Sequence, residues 1–261
     1  MRRTICEKLD ALQAREGITI VFAVESGSRA WGFPSPDSDY DVRFVYTRPV
    51  EWYLSITPGR DVVELPLEGD LDINGWDLKK ALGLILKPNP VLLEWLSSPI
   101  RYIWDGPTCD RLIQFSKTIA HNRACLHHYV GLGENTFRTR FGSREEVALK
   151  KYFYLLRPAL ALRWVRMHPD IIPPMNFRAL MEAVDLPRDL TDPINQLLEK
   201  KRITKEMGVM PRIDALERFA VAEFAEAKAV APTAPDAGER FEAEANDLFR
   251  ALITSPGNRA A

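Results

Sequence analysis

Asp39 and Asp41 stand one residue apart inside SDYDVRFVY (38–46), a run whose other residues favour a strand. Val, Phe and Tyr suit a pleated, half-buried surface. Strand side chains alternate between faces and rise about 3.3 Å per residue. The run therefore sorts into an apolar face of Tyr40, Val42, Phe44 and Tyr46 and a second face of Asp39, Asp41, Arg43 and Val45. Two carboxylates about 6.6 Å apart along one face repel each other unless a cation or proton stands between them. A strand of this kind fits a sheet with one face under apolar cover and the other lining a polar cleft.

The rest of the chain allows such a sheet but does not fill the molecule with it. ITIVFAVE (18–25) reads as a strand ending before Gly27, and RDVVELPL (60–67), DLDINGWDL (70–78) and IRYIW (100–104) read as further strands. Residues 2–16 form an amphipathic helical pattern, DLKKALGLILK (77–87) reads as a helix with Asp77 as N-cap, and PVLLEWLSS (90–98) as a short one. After about residue 105 strand alternation gives way to helical periodicity at 107–140, 144–168, 176–184, 193–206, 213–230 and 238–254. APTAPDAG (231–238) reads as a break and SPGNRAA as a frayed tail. The fold class expected is α+β, with a mixed-sheet domain over 1–105 and an all-helical domain over 106–261. The 261 residues suffice for one or two such units.

A net charge of −1 provides no global field for nucleic acid, so any polyanion surface is local. Cys6, Cys109 and Cys125 are odd in number and far apart, which argues against a disulfide scaffold and for a reducing compartment. MRRTICEKLD has no signal-peptide pattern and no apolar run reaches 18 residues. The expected location is the cytoplasm, without a membrane partner.

Gly27 and Ser28 follow a strand and precede a Pro-containing loop. A glycine there lets backbone amides approach a phosphate, and the Ser28 hydroxyl can add a donor. For an isolated Gly-Ser pair a plain tight turn is the better account, and the phosphate reading gains weight only together with the carboxylates that follow. Asp39 and Asp41 are hard oxygen ligands suited to Mg²⁺ or Mn²⁺, which take one or two carboxylates together with substrate phosphates. Arg43, on the same face, can pair with Asp41 or reach a phosphate. Arg29 can reach a phosphate or brace the loop.

Gly-Ser, a gap, then Asp-x-Asp between apolar residues resembles the signature of the DNA polymerase β nucleotidyltransferase superfamily. GSRAWGF (27–33), SDYDVRFVY (38–46) and GWDLKKALGLILKPNPVLLEWLSSPI (75–100) resemble its RNA-repair-associated branch, the predicted nucleotidyltransferases of YcgL and RlaP type. The likeness is strong over 25–104 and weaker through KKYFYLLRPALALRW (150–164). It implies a palm-like catalytic domain and transfer of a nucleoside monophosphate from a nucleoside triphosphate to an acceptor hydroxyl. Mg²⁺ or Mn²⁺ would be held by Asp39, Asp41 and a third carboxylate. Asp72, an acid set between Leu71 and Ile73, is the favoured third; Asp77 has a ready explanation as a helix cap. Gly27, Ser28, Arg29 and Arg43 would hold the triphosphate. Lys87, Asn89 and Glu94 match a family stretch, with Glu94 either structural or catalytic.

Other features carry less. His121, Cys125 and His128 share a helical face at i, i+4 and i+7, but without finger spacing or a nearby fourth ligand they read as a part-buried face rather than a zinc site. Trp31, Trp52, Trp76 and Trp95 read as core, although Trp31 or Phe33 could flank a nucleobase. Residues 138–166 hold Arg138, Arg140, Arg144, Lys150, Lys151, Arg157, Arg163 and Arg166 against Glu145 and Glu146, a local excess suited to an RNA acceptor. A protein side-chain hydroxyl accepting AMP, as in antitoxin-type relatives, is the alternative acceptor, and an inactive nucleotide-binding module is the non-enzymatic alternative.

Overall fold

The computed structural model describes residues 1–57, 59–87, 89–119, 121–142, 144–169, 171–203, 208–230 and 238–255, with side chains at 121–124 and 238–240 outside the description. The chain opens with helix α1 (Arg2–Glu16), which ends at Gly17 in the left-handed region, φ 60°, where a side chain would be strained. Strand β1 (Thr19–Glu25) leads into a single turn of helix, α2 (Gly27–Ala30), and then into β2 (Tyr40–Thr47). A short α3 (Val50–Tyr53), the strands β3 (Val62–Glu64) and β4 (Leu71–Asp77), helices α4 (Leu78–Leu86) and α5 (Val91–Leu96) and strand β5 (Arg101–Trp104) follow.

These strands form one mixed sheet in the order β3-β4-β2-β1-β5. β2 and β4 run parallel; the other pairs are antiparallel. The alternation of β2 sorts as its sequence requires. Val42, Phe44 and Tyr46 pack with Ile73 and Leu71 of β4 under Ile5, Leu9 and Leu12 of α1. Val45 belongs to the opposite face, with Val21, Phe22 and Val24 of β1. That face is covered by α4 and α5 together with α6 (Gly106–Thr118) and, from the far end of the chain, α12 (Gly238–Ile253). The apolar clusters thus do not divide at residue 105: α6 and α12 share the sheet's core.

The remaining helices are α7 (His121–Thr136), continued by a π-helical turn at Phe137–Phe141, then α8 (Leu149–Met167), α9 (Phe177–Ala183), α10 (Arg188–Ile203) and α11 (Asp214–Val230). They build a second cluster around α8, whose residues from Tyr152 to Leu162 are buried apart from Tyr154. The helix expected over 107–140 is broken between Thr118 and His121, and the one expected from 144 starts at Leu149. Residues before it form β6 (Glu146–Ala148), which pairs with β7 (Val209–Pro211) in a two-stranded ribbon. Strand structure therefore does not stop at residue 105. The ribbon is set by pairing across some sixty residues, which local periodicity does not reveal. The break expected over 231–238 and the tail from 256 lie almost wholly outside the described residues.

The two clusters meet at the loop between α2 and β2. Phe33, in that loop, inserts among Phe153 and Phe177, 4.4 and 5.4 Å between ring centroids. It is a peg in the helical core rather than a flank for a base. Trp31 packs on Tyr154, and its carbonyl accepts from the Phe177 amide at the start of α9.

Candidate active site

The parallel pairing of β2 and β4 sets Asp41 opposite Asp72, and Arg43 opposite Asn74. Neighbouring strands lie about 4.8 Å apart, so the two carboxylates are neighbours on the face away from α1. Asp77, the other candidate, stands five residues further along β4, about 16 Å away at the strand's rise. Its carboxylate accepts from the Lys79 amide at 2.7 Å and the Tyr53 hydroxyl at 2.9 Å, so it caps α4. Burial pushes its pKa up, and the Lys79 and Tyr53 hydrogen bonds oppose that shift. The geometry brings Asp72, not Asp77, beside Asp41.

Asp39 is exposed and lies just before β2 begins. The Arg29 guanidinium holds the carbonyls of Ser38 and Asp39, at 2.7 and 3.0 Å, and stacks 3.7 Å from the centre of the Tyr40 ring. Arg29 is thus a brace for the segment that carries Asp39.

Gly27 sits against this site. Its φ is +58°, and a Cβ built on it would meet Asp41 Oδ2 at 1.9 Å. Only glycine lets the turn close on the Asp41 carboxylate. Ser28 donates to Ser38 Oγ at 3.0 Å, and Ser38 Oγ in turn receives the Ser35 amide at 2.9 Å. The buried Lys201 ammonium of α10 reaches Ser35 Oγ at 3.4 Å, linking the helical part to the Ser28 turn.

Arg43 joins the carboxylates. Its Nη2 lies 3.1 Å from Asp41 Oδ1 and 2.7 Å from Asp72 Oδ2, while Nη1 donates to the carbonyls of Val42 and Asp72. Among the described residues no three His, Cys, Asp or Glu side chains are gathered closely enough to hold a metal ion. The donor chemistry still suits one: Asp39, Asp41 and Asp72 are hard, partly exposed oxygen ligands of the kind Mg²⁺ and Mn²⁺ take, and the absence of a side chain at Gly27 keeps the turn in contact with the Asp41 carboxylate.

Glu25 is a residue the sequence reading passed over. It ends β1, is 1% exposed, and its Oε1 accepts the Asp41 amide at 2.8 Å while Oε2 accepts the Tyr102 hydroxyl. The Ser26 amide donates to the Asp41 carbonyl at 2.8 Å, so the Asp41 backbone is clamped on both sides. Burial raises the Glu25 pKa, opposed by the Tyr102 and Asp41 hydrogen bonds. An acid closing the apolar run ITIVFAVE just before Ser26-Gly27-Ser28 was the available signal.

Glu94 accepts from Arg157 Nη1 at 3.0 Å and from the Tyr129 hydroxyl at 2.8 Å, all three buried. Trp31 lies over the Arg157 guanidinium at 4.7 Å. Glu94 is therefore structural, tying α5 to α7 and α8; Asn89 Oδ1 separately accepts the Val91 amide at the start of α5, at 3.0 Å. This arrangement corrects the basic-surface expectation. Arg157 is 3% exposed and unavailable to RNA, and Arg163 and Arg166 pair with Glu223 of α11. Arg138, Arg140 and Arg144 remain exposed. Cys125 is buried with its thiol pushed up to about 12, and burial lowers the His128 pKa; the His121 side chain lies outside the described residues. Trp76 and Trp95 pack with ring centroids 3.9 Å apart and planes tilted by 31°, Trp95 in the core and Trp76 partly buried against it.

Over residues 1–251 the chain matches the family model RlaP, described as an RNA repair pathway DNA polymerase beta family. The chain belongs to the RlaP family. An uncharacterized protein YcgL of Bacillus subtilis (strain 168) is 44% identical over 219 residues, covering 84% of each chain. RlaP is a polymerase β family, in keeping with a mixed α+β architecture and a Gly-Ser turn set against carboxylates paired across two neighbouring strands. The RlaP match runs through both the sheet and the helices packed on it. None of the described helices is long and apolar enough to cross a membrane.

Proposed function

We propose that this protein is a Mg²⁺- or Mn²⁺-dependent nucleotidyltransferase that transfers a nucleoside monophosphate from a nucleoside triphosphate to an acceptor hydroxyl. The observation that carries the reading is the register pairing of Asp41 with Asp72 beside a Gly27 turn with no room for a Cβ. Divalent cations held by Asp39, Asp41 and Asp72 would supply charge neutralisation at the phosphates and a more acidic acceptor hydroxyl. The protein's own groups do the rest. The Gly27 turn and the Ser28 hydroxyl orient the triphosphate, and Glu25 and Ser26 fix the backbone that carries Asp41. Asp72, partly open to solvent, takes the proton from the attacking hydroxyl. A bond forms from the acceptor oxygen to the α-phosphorus, and the bond from that phosphorus to the bridging oxygen of the β-phosphate breaks, releasing pyrophosphate. Catalysis rests mainly on positioning and electrostatics.

RNA is the acceptor class we favour. Its support is the family's description as an RNA repair polymerase β family and the exposed Arg138, Arg140 and Arg144. The test is to incubate the protein and Mg²⁺ with each α-labelled triphosphate and total cell RNA and protein. Label in the RNA fraction is the expected result. Label confined to a polypeptide makes the acceptor a protein hydroxyl. No pyrophosphate from any triphosphate returns the protein to a binding role.

A further inference from the structure

Two carboxylates in register on adjacent strands carry a repulsion that the fold has to neutralise. It does so with Arg43, two residues beyond Asp41 on the same face. One guanidinium reaches four acceptors: the Asp41 and Asp72 carboxylates and the Val42 and Asp72 carbonyls. The carboxylates are tied to a cation that belongs to the chain. A divalent ion seeking both of them must first deal with Arg43.

We propose that Arg43 is a resident counter-ion that the site exchanges for a metal-bound triphosphate, so that the divalent cation enters with the nucleotide rather than alone. The inference rests on the transferase reading above and adds the form in which its substrate binds. Three observations support it. The ion pairs are partly open, with side-chain exposures of 19% for Arg43, 27% for Asp41 and 41% for Asp72, and such pairs are weak enough to be exchanged. The guanidinium fork matches phosphate oxygens as well as carboxylates, so Arg43 released from Asp41 and Asp72 loses little if phosphates arrive with the metal. The expected phosphate-binding turn lies against Asp41 itself, where a Cβ on Gly27 would sit 1.9 Å from Oδ2, so the new partner arrives next to the old one. A metal ion without nucleotide would free the guanidinium with no anion to take it. Metal and triphosphate are therefore coupled, each raising the affinity of the site for the other.

The test is calorimetric titration of the purified protein with two ligands: Mn²⁺ alone, and the Mn²⁺ complex of a non-hydrolysable triphosphate analogue. Arg43→Gln should bind Mn²⁺ alone at least tenfold more tightly than wild type and the Mn²⁺–analogue complex at least tenfold more weakly. The opposite signs are the signature. Damage to the fold would weaken both, and a residue that only touched phosphate would leave Mn²⁺ alone unchanged. Arg43→Lys, which keeps the charge but not the fork, should fall between wild type and Arg43→Gln on both ligands, and it carries the test if Arg43→Gln does not fold. An Mn²⁺ affinity no tighter in the variants than in wild type overturns the exchange and leaves the transferase reading standing. No binding of either ligand by wild type overturns both.

Discussion

Two arginines in this molecule each bind a carboxylate, and they are put to opposite uses. Arg157 meets Glu94 in the interior, with side-chain exposures of 4% and 11%, roofed by Trp31 and accompanied by the Tyr129 hydroxyl. Arg43 meets Asp41 and Asp72 on a face of the sheet, partly in solvent. Burial makes the first pair costly to break, because removing either partner strands a charge away from water. Exposure makes the second weak and exchangeable. The lesson is that an arginine–carboxylate pair can serve as a rivet or as a placeholder, and that its solvent contact decides which.

The largest expected effect breaks the comparison at the rivet. Arg157→Leu should cost about 3–5 kcal/mol of stability by leaving Glu94 buried and unpaired, read from denaturant midpoints. Arg43→Gln should cost within about 1 kcal/mol. Similar costs for both would mean that the two pairs do not differ in kind. Next in size is Gly27→Val. It places a branched side chain at φ +58° and against the Asp41 carboxylate, with about 1–3 kcal/mol of strain and, on our reading, loss of triphosphate binding by titration. Unchanged nucleotide affinity would show that the turn serves the fold alone.

The sheet was legible from sequence because its signals are local. Val42, Phe44 and Tyr46 against Asp41, Arg43 and Val45 is a period of two, and both faces fall where that period puts them. Asp77 as a cap was legible because capping needs only the next two residues. What was not legible depends on partners far along the chain. Arg157 looks like part of a basic stretch until Glu94, 63 residues away, is packed against it. The ribbon at 146–148 exists only because 209–211 lies beside it. Phe33 and Lys201 are ordinary in sequence, and each acquires its meaning where the sheet and helices meet.

A smaller effect sharpens the contrast at the two ends of β4. Asp77→Ala should cost about 1 kcal/mol as a lost N-cap, measured by thermal or denaturant unfolding, with activity retained. The smallest effect concerns pH. Burial holds the folded Glu25 pKa above its unfolded value, so the favourable contribution of the protonated form is present at low pH and is lost as pH rises through the folded pKa. Glu25→Gln keeps an acceptor for the Asp41 amide without that loss. Its stability relative to wild type should rise with pH through and above the carboxylate range and level off at the acid end, read from unfolding midpoints at a series of pH values. A difference that does not vary with pH would mean Glu25 titrates alike in both states.

We propose Asp41 and Asp72 as the reacting end of a nucleotidyltransferase and Asp77, on the same strand, as a helix support alone. Pyrophosphate release with Mg²⁺, a nucleoside triphosphate and RNA, measured side by side for wild type, Asp72→Asn and Asp77→Ala, tests it most directly. Release by wild type and Asp77→Ala is expected, with a loss of several orders of magnitude in Asp72→Asn, its fold retained. Turnover preserved in Asp72→Asn and abolished in Asp77→Ala would contradict it.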